Sequence, residues 1–171
     1  MDLQLGKRTA LVTGASRGLG RAIAFKLAGE GVNTAIVARR GELLRELAAE
    51  ITSAGAPPPA IIEADLSAPG APEQIAARAR QDLGHIDILV NAAGGSRSIP
   101  FEATTEQWME GMTINFFRLR ELTHAVAPGM IANRWGRIIN ITGGSEPRGL
   151  NAANSAKTSR LTAAARPGDT P

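Results

Sequence analysis

The chain has 171 residues, 43% of them hydrophobic and 20% charged, with a formal net charge of +3 and no cysteine. That length fits one domain with its own core, disulfide and thiolate chemistry are excluded, and no apolar run reaches the roughly 18 residues that cross a bilayer. The sequence pI near 10.2 comes from 16 arginines against three lysines; scattered along the chain, they describe a solvated surface and exclude the basic stripe of a nucleic-acid binder.

Residues 1–6 carry no basic-then-apolar leader pattern, which makes a cytoplasmic address the expectation. Residues 8–12 read as a buried strand and residues 21–27 as an alanine-rich helix. Between them stands Thr13-Gly14-Ala15-Ser16-Arg17-Gly18-Leu19-Gly20, with glycines spaced G-x-x-x-G-x-G. Such glycines let the backbone turn sharply and approach a ligand, and the following helix aims its unpaired N–H groups at that ligand. Strand, glycine turn and helix in this order point to the phosphates of a nucleotide.

Residues 34–38 predict a second strand, and residues 42–53 a helix striped by Leu43, Leu44, Leu47 and Ile51. The prolines at 57, 58 and 59 force a loop. Residues 60–64 read as a third strand, 73–83 as a third helix and 86–90 as a fourth strand buried on both faces. One long helix is predicted over residues 105–127, stopped by Pro128-Gly129, and residues 137–141 make a fifth strand. Alternating strands and helices joined by short connections indicate an α/β fold, a Rossmann-type doubly wound parallel sheet in three α/β/α layers.

Ligands of such sheets gather at the carboxyl ends of the strands, where strand order reverses. Five segments fall there: residues 14–20, Arg39-Arg40, Asp65-Leu66, Asn91-Ala92-Ala93-Gly94 and Thr142-Gly143-Gly144-Ser145. Their convergence on one rim predicts one composite site. A P-loop is excluded because Gly20 is followed by Arg21-Ala22 rather than Lys-Ser/Thr. A methyltransferase would want an acid after the second strand, and this chain has Arg39 there.

On residues 13–20, Asp65-Leu66, Leu89-Val90-Asn91-Ala92-Ala93-Gly94, Asn115 and Gly136-Arg137-Ile138-Ile139-Asn140-Ile141, the chain resembles short-chain dehydrogenases/reductases, in particular 3-oxoacyl-carrier-protein reductases. The resemblance runs over about residues 5–157, expected as an NAD(P)-binding Rossmann domain, with 158–171 as an atypical tail. It implies a nicotinamide dinucleotide on Gly14, Ser16, Arg17, Gly18, Leu19, Gly20, Arg39, Arg40, Asp65, Leu66, Asn91, Ala92, Gly94 and Lys157. It further implies a small carbonyl or alcohol substrate above that cofactor. Relatives commonly pair through the long fourth helix and the Lys-bearing helix, so a homo-oligomer is expected on the same ground.

In the family an acid at the end of the second strand selects NAD. Arg39 stands in that place, with Arg40 beside it and Arg17 in the glycine turn. Guanidinium forks suit a 2′-phosphate, so NADP(H) is expected over NAD(H). Asp65 would accept from the adenine amino group, or simply close a turn; Asn91 would lie along the cofactor, or simply end a strand.

The resemblance also implies a catalytic set of Asn, Ser or Thr, Tyr and Lys, the Tyr four residues before the Lys on one helix face. Asn115 and Lys157 match, Thr142 is a candidate hydroxyl beside Ser145, and the tyrosine position holds Ala153 in a chain without tyrosine. Glu146 is the one acid after the fifth strand that could stand in. Beyond Lys157 the residues lack the family's further strands, so the chain reads as C-terminally truncated, with the sheet incomplete at that end. Two functional expectations follow: an NADP(H)-dependent oxidoreductase, or an impaired NADP(H)-binding module.

Overall fold

The computed structural model describes residues 4–95 and 102–142. Five parallel strands form one sheet in the order β3-β2-β1-β4-β5: β1 Thr9–Thr13, β2 Asn33–Ala38, β3 Ala60–Glu63, β4 Ile88–Asn91 and β5 Arg137–Asn140. Between them run α1 Gly18–Gly29, α2 Gly41–Ser53, α3 Ala71–Leu83, α4 Thr105–Met112 and α5 Arg118–Ala132. Strand order reverses between β1 and β4, which opens a crevice at their carboxyl ends.

Alternation within the strands assigns the two faces. Ala10 and Val12 of β1, Ile36 of β2, and Ile88 and Val90 of β4 pack against α1 and α2, on Ala24, Ala28, Leu44, Leu47 and Ile51. Leu11, Ala35, Val37 and Leu89 face the other way, onto Ile75, Ala79, Leu119, Leu122 and Val126 of α3 and α5. A strand buried on both faces must be apolar at every position, as β1 and β4 are apart from their hydrogen-bonded Thr and Asn ends. This is the three-layer α/β/α arrangement expected.

At the amino ends of the strands, buried Asp87 joins β1 to β4. Its Oδ2 accepts from the Thr9 amide at 3.1 Å and faces His85 Nε2 at 3.1 Å, while Arg8 stands 3.7 Å from Oδ1. Its own amide donates to Thr9. The fourth strand therefore starts at Ile88 rather than at residue 86.

The long helix differs most from its expected form. It is one path of three pieces, with a π-helical segment at Thr113–Phe117 between α4 and α5. It is also not stopped by Pro128-Gly129 but runs through Pro128 to Ala132. Proline fits helical φ but removes its own N–H bond and crowds the carbonyl four residues back, a cost that the packing of the last turn must offset. Beyond it Met130 is buried, and Arg80 of α3 donates to the Ala125 carbonyl at 3.0 Å. Packing outweighs the local stop signal.

Candidate functional site

The β1–α1 turn is built so that backbone can come close to backbone. Gly14 has φ +70°, and a Cβ there would lie 2.7 Å from the Ala93 amide nitrogen and 2.8 Å from the Ala92 carbonyl carbon. Gly20 is packed on the Gly14 carbonyl, where a Cβ would collide. Gly18, at φ +60°, has open space above it instead. Buried Thr13 closes the junction: its Oγ1 donates to Val90 O at 3.3 Å and accepts from the Ala92 and Ala93 amides at 3.2 and 3.1 Å. The first turn of α1 has no side-chain cap and no acid, so its partial positive charge faces the crevice uncompensated among the described residues.

The ends of β2 and β3 supply charge. Arg40 Nη2 donates to Ser16 Oγ at 3.3 Å, and Arg39 Nη1 stands 3.9 Å from Asp65 Oδ2. The other oxygen, Asp65 Oδ1, accepts from the Ser67 amide at 2.9 Å and the Ser67 hydroxyl at 2.6 Å. Those two bonds, with Arg39 adding a smaller pull, hold the Asp65 carboxyl below the usual carboxylate range. The turn-closing reading of Asp65 is thus observed, and it leaves Oδ2 facing the rim.

Across the crevice, Asn115 lies buried in the π-helical segment. Its Nδ2 donates to Gly95 O at 2.8 Å and Gly111 O at 3.0 Å, and its Oδ1 accepts from Gly95 N at 3.2 Å. Asn91 ends β4 as a buried residue, its Nδ2 donating to Asn140 Oδ1 at 2.9 Å. Its own Oδ1 has no partner among the described residues. Between these walls is a cleft of about 850 Å³, lined by the β1–α1 turn, Arg39 and Arg40, residues 64–67, residues 92–95 and the 107–115 face of α4 and its π-helical continuation.

A family description, short chain dehydrogenase, matches residues 8–156. This chain belongs to the short chain dehydrogenase family. A short chain dehydrogenase of Pseudocercospora fijiensis is 37% identical over 144 residues, covering 81% of this chain and 46% of the relative. Among solved structures, a 7α-hydroxysteroid dehydrogenase complexed with NADH and 7-oxo glycochenodeoxycholic acid superposes with TM-score 0.86 at 28% identity, over 92% of this chain and 63% of that one. A metagenomic short-chain oxidoreductase in complex with NADP gives TM-score 0.81 at 34% identity, over 90% and 71%. The chain thus spans between about half and two-thirds of the length of most such relatives.

Within this short chain dehydrogenase fold, ten expected site residues line the cleft together: Gly14, Ser16, Arg17, Arg39, Arg40, Asp65, Leu66, Ala92, Gly94 and Asn115. Gly18, Leu19 and Gly20 form the first turn of α1 behind it, with the Leu19 side chain exposed. Asn91 is buried beneath the rim, and Thr142 follows β5 as an exposed residue outside the lining. Ser145, Glu146, Ala153 and Lys157 lie outside the described residues. Sequence reading missed Thr13 as the junction, and it missed the wall made by Gln107, Glu110, Gly111 and Ile114. Gly111, Glu110 and Gln107 stand three, four and seven residues before Ile114, spacings that put all four on one helix face, and those spacings carried the signal.

Proposed function

We propose that this chain holds NADP(H) as the cofactor domain of an oxidoreductase acting on a small carbonyl or alcohol. The observation that carries the reading is the basic end of the cleft. Arg17, Arg39 and Arg40 line it where β2 ends, and among the described residues the Arg40 guanidinium donates to the neutral Ser16 hydroxyl. A guanidinium there favours a 2′-phosphate, and the absence of an acid at position 39 removes the repulsion that would turn one away. The rest of the cleft fits the group as well. Gly14 leaves the turn without side-chain bulk, Gly18 faces open space, and the uncapped start of α1 suits a diphosphate. When bound, NADP(H) supplies hydride chemistry; Asn115 would brace the crevice wall beside it, and Asp65 Oδ2 would accept from the adenine amino group.

Fluorescence titration with NADPH and NADH tests this directly. The expected result is tighter NADPH binding, and tighter NADH binding overturns the cofactor assignment.

The absence of tyrosine favours a second reading for turnover, in which NADP(H) is held but reduced substrates form slowly. General acid catalysis contributes roughly 10²–10⁴-fold, so the loss of the family's phenol would leave a slow enzyme. Ala153→Tyr is expected to raise NADPH oxidation with small ketones by roughly a hundredfold, the low end of that range. No gain in a variant that still binds NADPH would place the defect elsewhere.

A further inference from the structure

We infer that Arg118 is a positioning residue for adenine recognition, tying the loop that carries Asp65 to the helix that carries Asn115. The inference rests on the NADP(H) reading above and adds to it a residue outside the cleft lining. Arg118 is the first residue of α5, directly after the π-helical segment. Its side chain is only 16% exposed, which is unusual for an arginine and calls for specific partners. It has two. Nη1 meets Glu121 Oε2 at 2.7 Å, which fixes the guanidinium on its own helix, and Nε donates to the Ser67 carbonyl at 3.2 Å.

Ser67 is the residue that holds Asp65. Its amide and hydroxyl both bind Asp65 Oδ1, which leaves Oδ2, with Arg39 at 3.9 Å, as the edge of the carboxylate toward the rim. The chain of contacts is therefore Glu121 to Arg118, Arg118 to the Ser67 carbonyl, and Ser67 to Asp65. Both ends matter to the cleft, because residues 65–67 line one wall and residues 113–115 the other. The bond from Arg118 Nε to the Ser67 carbonyl ties this loop to α5. A charge-assisted bond in a half-buried setting is stronger than a neutral one, so Arg118 can set the loop's distance from the opposite wall. Because the tie reaches Asp65 through its Oδ1 partner, it controls where Oδ2 stands rather than how much area the loop buries.

The test compares NADPH with its hypoxanthine analogue, which carries a carbonyl oxygen in place of the adenine amino group. The wild-type chain is expected to bind NADPH about tenfold tighter than the analogue, because the analogue sets an oxygen against Asp65 Oδ2. Arg118→Met is expected to collapse that ratio to within about twofold, a change within the usual range for residues that act through others. Arg118→Lys, which keeps one charged donor, should restore part of it. A variant that weakens both ligands equally and keeps the ratio has lost only structural support, and that overturns the inference, as does a variant with unchanged binding. Should the wild-type chain bind neither ligand, the NADP(H) reading fails on its own. The tie is then read by hydrogen exchange, where Arg118→Met must raise uptake in residues 64–67 above wild type, and equal uptake overturns it.

Discussion

The two halves of this sheet hold their share of the cleft by different means. In the half built from β1, β2, α1 and α2, backbone geometry does the positioning. Strand β1 is buried at all five positions, β2 at four of six, and the turn between β1 and α1 is shaped by glycines packed on neighbouring backbone. In the half built from β4, α4, α5 and β5, side chains do it. Asn115 ties the π-helical segment to Gly95, Asn91 reaches Asn140, and Arg118 reaches Ser67. Strand β5 forms an edge of the described sheet, with Ile138 and Ile139 exposed at 39% and 44%. The first half leans on backbone packing and one buried hydroxyl, that of Thr13; the second leans on several polar side chains.

Core truncation should separate the halves most strongly. Leu11 is fully buried between β2, β4 and the α3–α5 layer, so Leu11→Ala is expected to lower unfolding free energy by roughly 2–5 kcal/mol. Ile139→Ala removes a side chain already half in solvent, and its cost should stay below about 1 kcal/mol. Urea melts of both variants check the contrast, and equal losses would break it.

Asn115→Ala comes next. It removes the side-chain bonds to the Gly95 amide, the Gly95 carbonyl and the Gly111 carbonyl, at a cost of roughly 1–3 kcal/mol. Loss of protection from hydrogen exchange should be confined to residues 92–95 and 111–117, with the β1–α1 turn unchanged.

The same contrast explains what could be read from residues alone. The β1–α1–β2 half was legible because its determinants are local: glycine spacing, apolar alternation and a stripe of leucines each state their own geometry. The parallel sheet in three layers and the gathering of the strand-end segments on one rim followed from such signals, whereas the order β3-β2-β1-β4-β5 came only with the structure. The π-helical segment was not legible, since nothing in Thr113 to Phe117 marks the extra residue of a π turn, and Asn115 within it bonds to Gly95 across the crevice. Pro128 misled for the complementary reason. A proline announces a local stop, whereas the burial of Met130 and the Arg80 bond to Ala125 act at long range.

On the basic rim, Arg40→Ala is expected to weaken NADPH binding about tenfold while NADH changes less than about twofold, since one charge-assisted bond is worth on the order of 1.5–3 kcal/mol before solvent screening. Fluorescence titration in low and high salt checks it. Arg39→Ala should have the smaller effect, because Arg39 is more exposed and already faces Asp65 at 3.9 Å. Equal effects from the two would mean that the carboxylate does not engage Arg39 in solution.

The smallest effect belongs to Asp65 itself. The Ser67 hydroxyl and amide, then Arg39, depress its pKa in the folded chain. A depressed acid stabilises the fold above its unfolded pKa, and that contribution disappears as pH falls through the lower folded value. Since the carboxylate is nearly half exposed, the change in global stability should be slight and the local change clear. Carboxyl chemical shifts should show Asp65 titrating below the ordinary range, and Ser67→Ala should move its midpoint upward. Arg118→Met should move it upward too, by less, because Arg118 binds the Ser67 carbonyl and acts on Asp65 only through the loop. A midpoint that follows Ser67 but ignores Arg118 would mean that the two halves of the cleft are joined by packing alone.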